Sequence, residues 1–121
     1  MKVKTSEIQG RALDWAVAYC EGMKNIEFDG IVWSFTIDGK IKVLSSGWAA
    51  MSWCPSSDWA IAGPIIERQG IAISPNGDGR WWAYCERRVQ NQYGLTPLIA
   101  AMRCYVASKL GDEVDVPEEL A

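Results

Sequence analysis

The chain holds 121 residues, 49% hydrophobic and 22% charged, with a formal net charge of −3 and a pI near 4.9. That length suits one domain around one core, and the ordinary globular usage excludes wholesale disorder and coiled coil. Histidine is absent, which excludes imidazole-based triads and His-ligated metal sites, and the mild acidity leaves no field to draw the chain to DNA or an anionic membrane.

No apolar run approaches the roughly 18 residues of a membrane span. The opening Met-Lys-Val-Lys-Thr-Ser-Glu carries basic residues without an apolar stretch behind them, so it does not read as a signal peptide. Residues 2–5 read as a short strand. Thr5 and Ser6 then look like N-caps of a helix that runs to about Glu21 and stops at Gly22. On a wheel, Leu13, Ala16, Val17, Cys20 and Met23 share one side. Arg11, Asp14 and Glu21 fill a narrow polar sector, so most of this helix should be buried.

Val32, Phe35, Ile37, Ile41 and Val43 mark strand segments, with Asp38-Gly39 as a hairpin signal between them. Residues 45–64 are rich in Ser, Gly, Pro and Trp. They read as an ordered loop, too aromatic for a flexible linker. Ile65-Ile66 and Ile71–Ile73 read as short strands. The turn Pro75-Asn76-Gly77-Asp78-Gly79 then leads into a strand at Trp81–Cys85, making a hairpin over 71–86.

The last helix has the clearest signals: Thr96 as N-cap, Pro97 in the first helical position, an apolar pattern to Leu110 and a stop at Gly111. Leu98, Met102, Tyr105 and Val106 give it one broad apolar face. Ala100, Ala101, Cys104, Ala107 and Ser108 give it a second face of small residues, suited either to the domain's own sheet or to a second copy of the chain, a homo-oligomer through residues 97–110. The acidic tail after Gly111 reads as extended. The expected fold class is α+β, one domain over residues 1–121 with a small, largely antiparallel sheet of about five short strands packed with two main helices.

Cys20, Cys54, Cys85 and Cys104 lie too far apart in sequence for a zinc knuckle or a redox motif, and they read as thiols of a cytosolic protein. Neither metal nor cofactor is expected. The candidate acids and bases are Asp14, Asp58 and Glu67. Asp58 follows Ser56 and Ser57 and reads first as a cap. Glu67 and Arg68, placed on a strand, would point to opposite faces. With no Gly-rich phosphate loop after a strand, the chain reads as a non-enzyme. Arg87-Arg88 near Trp81-Trp82 has the composition of a single-strand binding element, but the simpler reading is a solvated strand end, so no nucleic-acid partner is expected.

Seven tryptophans are more than one small core usually takes, and some should line a pocket or an interface. Trp53, Trp59, Trp81 and Trp82 offer flat faces for a nucleobase. Arg68 and Arg103 can meet phosphate through paired N–H donors, and Ser56, Ser57 and Asp58 can read ribose hydroxyls. The competing reading has the indoles filling the core and Arg103 in a buried salt bridge to Glu67 or Asp14.

Three stretches together resemble one family. They are Lys4-Thr5-Ser6-Glu7 leading into Gly10-Arg11-Ala12-Leu13-Asp14-Trp15-Ala16-Val17-Ala18, then Ser57-Asp58-Trp59 leading into Gly63-Pro64-Ile65-Ile66-Glu67-Arg68, and Thr96-Pro97-Leu98-Ile99-Ala100-Ala101-Met102-Arg103 with Tyr105-Val106 and Gly111-Asp112-Glu113-Val114. This pattern is similar to the NinX family of lambdoid phages, and only the stretch from about Asn25 to Gly47 falls outside it. The resemblance implies an accessory phage protein in the cytoplasm of an infected bacterium, and it carries over no catalytic residue.

The leading expectation is a non-catalytic protein that binds and sequesters a nucleotide-like small molecule, an NAD-derived immune signal of the cyclic ADP-ribose type being the first ligand to test. Such an anti-defence role needs affinity and abundance rather than turnover. Its expected binding residues are Trp53, Ser57, Asp58, Trp59, Arg68, Trp82 and Arg103. The alternatives are an adaptor that docks on a host or phage enzyme through exposed Trp, and a small nucleotide hydrolase.

Overall fold

The computed structural model describes residues 1–45, 50–85 and 91–121. The order is β1 (Lys2–Lys4), α1 (Gly10–Cys20), β2 (Lys24–Phe28), β3 (Trp33–Ile37), β4 (Lys40–Leu44), β5 (Ser52–Trp53), α2 (Trp59–Gln69), β6 (Ala72–Pro75), β7 (Trp81–Tyr84), β8 (Gln92–Gly94), α3 (Pro97–Leu110) and β9 (Glu113–Asp115), followed by a 3₁₀ turn at Glu118–Leu120. The α+β class stands. The single sheet is replaced among the described residues by three: β1-β9, β2-β3-β4-β5 and β6-β7-β8, antiparallel except for the β4–β5 pair.

Helix α3 is the hub. It packs against α1, α2 and β6 to β9. Leu98, Met102, Tyr105 and Val106 are buried, and so are Ala100, Ala101, Cys104 and Ala107. The small-residue face therefore receives the domain's own elements, because methyl-sized side chains let neighbouring backbones approach. The Thr96 hydroxyl accepts from the Ile99 N–H at 3.1 Å, which makes the cap that the sequence indicates.

Helix α1 begins later than Thr5. The first residues after β1 form a tight turn in which the N–H groups of Glu7 and Ile8 donate to the Lys4 carbonyl. Gln9 occupies the N-cap position and Gly10 opens the helix. Thr5 points inward instead, and its hydroxyl donates to the Gly111 carbonyl at 2.7 Å, which ties the start of the chain to the end of α3.

The acidic tail is an ordered strand. β9 pairs with β1 so that Asp115 stands opposite Lys2 and Glu113 opposite Lys4, while Val3 and Val114 share the other face. Opposite charges across an antiparallel pair stabilise its register. The hairpins at Asp38-Gly39 and at residues 75–80 form where the turn residues place them. Asp78 closes the second by accepting from the Arg80 N–H at 3.0 Å.

The largest correction falls on residues 45–66. Ser52 and Trp53 form β5, and Trp59–Gln69 form α2, so Ile65 and Ile66 are helical rather than extended. Pro64 sits inside this helix. It donates no backbone hydrogen bond, and such residues ordinarily end helices. None of the four cysteines forms a disulfide. Among the described residues no helix is long and apolar enough to cross a membrane.

Candidate functional site

The seven expected binding residues do not converge. Trp53 is 6% exposed and lies edge-on to Phe35, with ring centroids 6.4 Å apart. Its indole N–H donates to the Asp14 carbonyl at 2.9 Å, so the ring fastens β5 to α1 as part of the core. Ser57 and Asp58 belong to the turn that enters α2. Both of their backbone N–H groups reach the Cys54 carbonyl, and the Asp58 carboxylate accepts from the Ala60 N–H at 2.9 Å. This is the capping role its position predicts. Replacing Asp58 with Ala should lower stability by about 1 kcal/mol, measured as a shift of the urea midpoint with an unchanged slope.

The two arginines are held apart by different partners. Arg68 reaches Glu21 at 2.6 Å, and the Tyr105 hydroxyl donates to the same carboxylate. Burial, with Glu21 next in effect, pushes the Tyr105 phenol above its usual pKa. Arg103 makes no bridge to Glu67 or Asp14. It donates instead to the carbonyl oxygens of Ile8 at 2.8 Å and Tyr93 at 2.7 Å, joining α3 to the entry of α1 and to β8. Both carbonyls lie in segments without a complete backbone ladder, and a guanidinium is suited to bridging such oxygens. Trp82 is half-buried on β7 opposite Tyr93. Trp59 is the aromatic among the seven with a free face, at 55% exposure.

Asp14 is 4% exposed, and its carboxylate accepts from the Ser56 N–H at 2.8 Å. Burial raises its pKa to about 6 against the opposing effect of Ser56. Its hydrogen bond and burial make it a strut between α1 and the turn before α2. The Arg87-Arg88 pair and Trp48 lie outside the described residues.

The surface feature that remains is the β2–β3 corner. β2 is the outer strand of its sheet and every one of its residues is exposed. At the tip, the Asp29 carboxylate accepts from the N–H groups of Ile31 at 2.9 Å and Val32 at 2.7 Å. These bonds, that of Val32 first, hold its pKa below the usual carboxylate value. Gly30 has φ 96, a conformation that side-chain-bearing residues rarely adopt. The tip is thereby fixed with Ile31 standing outward at 79% exposure.

Phe28 stacks on Trp33, with centroids 4.5 Å apart and ring planes 13° from parallel. Beside this stack lies a hollow of about 210 Å³, bordered by Arg11, Ile31, Glu119 and Leu120. The Trp33 indole N–H is buried without a hydrogen-bond partner. Ile26, Phe28, Ile31 and Val32 are all exposed within seven consecutive residues. A contiguous apolar patch on an ordered tip marks an interaction surface more strongly than scattered apolar residues do. Apolar alternation marks strand segments from Val32 onward and gives no strand at Lys24–Phe28, where β2 forms. The overlooked signal is Ile31-Val32 directly after Asp29-Gly30, where a hairpin tip ordinarily carries polar residues.

Among curated proteins, nothing matches the chain. A family model described as Bacteriophage P22, NinX matches residues 4–109. The matched span runs from β1 nearly to the end of α3 and takes in the β2–β3 corner and all seven of the expected binding residues. The chain therefore belongs to the phage P22 NinX family.

Proposed function

We propose that this NinX-family protein is a non-catalytic adaptor, acting in the cytoplasm of the infected cell, that docks on a partner protein through the β2–β3 corner. The occupant is an extended, apolar segment of the partner that adds to the free edge of β2 and covers Ile31 and Val32. The exposed apolar tip carries this reading. An open strand edge supplies backbone donors and acceptors, and the apolar side chains beside it supply the burial that makes pairing stable. The Phe28–Trp33 stack gives the corner a rigid base.

The test is affinity capture from infected lysate with wild-type protein and with Ile31→Asp, followed by hydrogen exchange on the purified complex. We expect one stoichiometric partner, protection of β2 on binding and a loss of affinity of about 30-fold with Ile31→Asp, the scale of a central interface residue. Full retention of the partner by Ile31→Asp, or protection confined to other strands, refutes the assignment.

A second reading, capture of a nucleotide-like ligand, has its own support. The hollow beside Trp33 combines an aromatic side chain with the Arg11 cation. Stacking and a charge-assisted bond to phosphate are the chemistry of a bound nucleotide. Calorimetry with cyclic nucleotides and ADP-ribose derivatives separates the two readings. Heat that disappears in Arg11→Ala supports capture, and no heat at micromolar protein removes it.

A further inference from the structure

β9 belongs to a two-stranded sheet, so one of its edges pairs with β1 and the other has no strand beside it among the described residues. The bonds at the ends of the pair fix which groups face which way. The Thr5 N–H donates to the Asp112 carbonyl at 2.8 Å, and the Met1 and Val116 backbones exchange hydrogen bonds of 2.9 Å. In an antiparallel pair such residues alternate with residues whose N–H and C=O point away from the partner strand. Val114, opposite Val3, is therefore turned toward β1, and the N–H and C=O groups of Glu113 and Asp115 point away from it. Those two residues also line a hollow of about 220 Å³, with Val114, Leu110, Trp15 and Tyr19 as its other walls. Trp15 and Tyr19 stack with centroids 5.8 Å apart and planes 22° from parallel, and Tyr19 stays 54% exposed. This hollow shares no residue with the one at the β2–β3 corner.

We propose that this hollow binds a nucleobase, free or as an unphosphorylated nucleoside. A base needs a flat face to stack on and partners for a ring-edge donor next to an acceptor. Tyr19 supplies the face, and its stacking on Trp15 holds that ring in place. On a strand edge the C=O of one residue stands beside the N–H of the residue two positions on. The Glu113 carbonyl accepts from the amino group of adenine, and the Asp115 N–H donates to the ring nitrogen next to that amino group. The backbone carries this pattern, so no side-chain motif records it. No Lys or Arg lines the hollow, which leaves nothing there to pair with a phosphate. Its volume falls below the roughly 300–1,000 Å³ of drug-sized sites, which fits one ring system rather than a whole nucleotide.

The experiment titrates ¹⁵N-labelled full-length protein with adenosine and follows the backbone amide signals. The expected result is a saturable shift of the Asp115 amide at a Kd of about 0.1–1 mM, the strength of one stacked ring with two hydrogen bonds. Adenosine carrying two methyl groups on its amino nitrogen has no donor there and should bind about tenfold more weakly. Tyr19→Phe keeps the ring and should bind as the wild type does. Tyr19→Ala removes an exposed ring from a helix that accepts Ala readily, and should weaken binding about tenfold, within the range for one stacked base. No saturable shift with adenosine, equal affinity for the dimethylated nucleoside, undiminished binding by Tyr19→Ala, or shifts confined to the β2–β3 corner would each overturn the proposal.

Discussion

Gly94→Ala is expected to destabilise the protein by about 3 kcal/mol, a larger loss than most single exposed substitutions produce. Gly94 ends β8 two residues before the cap of α3. A Cβ built there lies 2.7 Å from the Ala100 backbone nitrogen and 2.7 Å from Ile99 Cγ2. Ile99 can rotate away, but the Ala100 nitrogen cannot, because it donates to the Thr96 carbonyl in the first turn of α3. Relief therefore requires α3 to move off β8. The same helix also packs on β6, β7, α1 and α2, so a shift at one contact disturbs the rest. Thermal unfolding should show a midpoint lower by about 10 °C for a domain of this size. A midpoint within about 2 °C of the wild type would show that β8 and α3 are not in contact as described.

The difference between α3 and α2 shows what made the fold legible. In α3 the cap, the proline and the terminal glycine all agree with the apolar pattern, and the helix forms where those signals place it. In α2 the signals conflict. Asp58 caps one end and Gly70 adopts a left-handed conformation at the other, which frames a helix. Gly63-Pro64 and two adjacent isoleucines between them mimic a turn leading into a strand. Tertiary packing of Ala62 and Ile65 into the core overrides those local preferences. The division into three sheets was hidden for a related reason. Strand pairing between β1 and β9 joins residues more than 100 positions apart, and no local pattern encodes such a partner.

The surplus of tryptophan was visible, but its distribution was not. Composition cannot distinguish Trp53, whose N–H has an acceptor in the Asp14 carbonyl, from Trp33, whose N–H is buried without one. Likewise, Arg68 and Arg103 look equally available in sequence. Their binding to Glu21 and to two backbone carbonyls depends on how α2 and α3 cross α1. The exposed corner lies outside the three sequence stretches that carry the family pattern, and side-chain accessibility, rather than any motif, makes it a candidate.

Asp14→Asn is expected to change how stability depends on pH. In the native protein burial raises the Asp14 pKa from 3.8 to about 6. Between those values the folded state holds a proton that the unfolded chain has released, so stability falls as pH rises through this window and levels off above it. Two pH units correspond to about 3 kcal/mol. Asn keeps the side-chain oxygen that accepts from the Ser56 N–H but has no charge to desolvate. The stability of the variant minus that of the wild type should therefore rise by about 3 kcal/mol between pH 4 and pH 7.5. Its NH₂ group sets a constant offset, because an amide without an acceptor costs about 1–3 kcal/mol at every pH. Asp29 and Asp78 have lowered pKa values and act in the opposite direction, but they are present in both proteins and cancel in the difference. Urea titrations at closely spaced pH values measure this directly. Parallel curves for the two proteins would mean that the Asp14 carboxylate is solvated, and that the strut between α1 and the turn before α2 is not the dry contact the geometry describes.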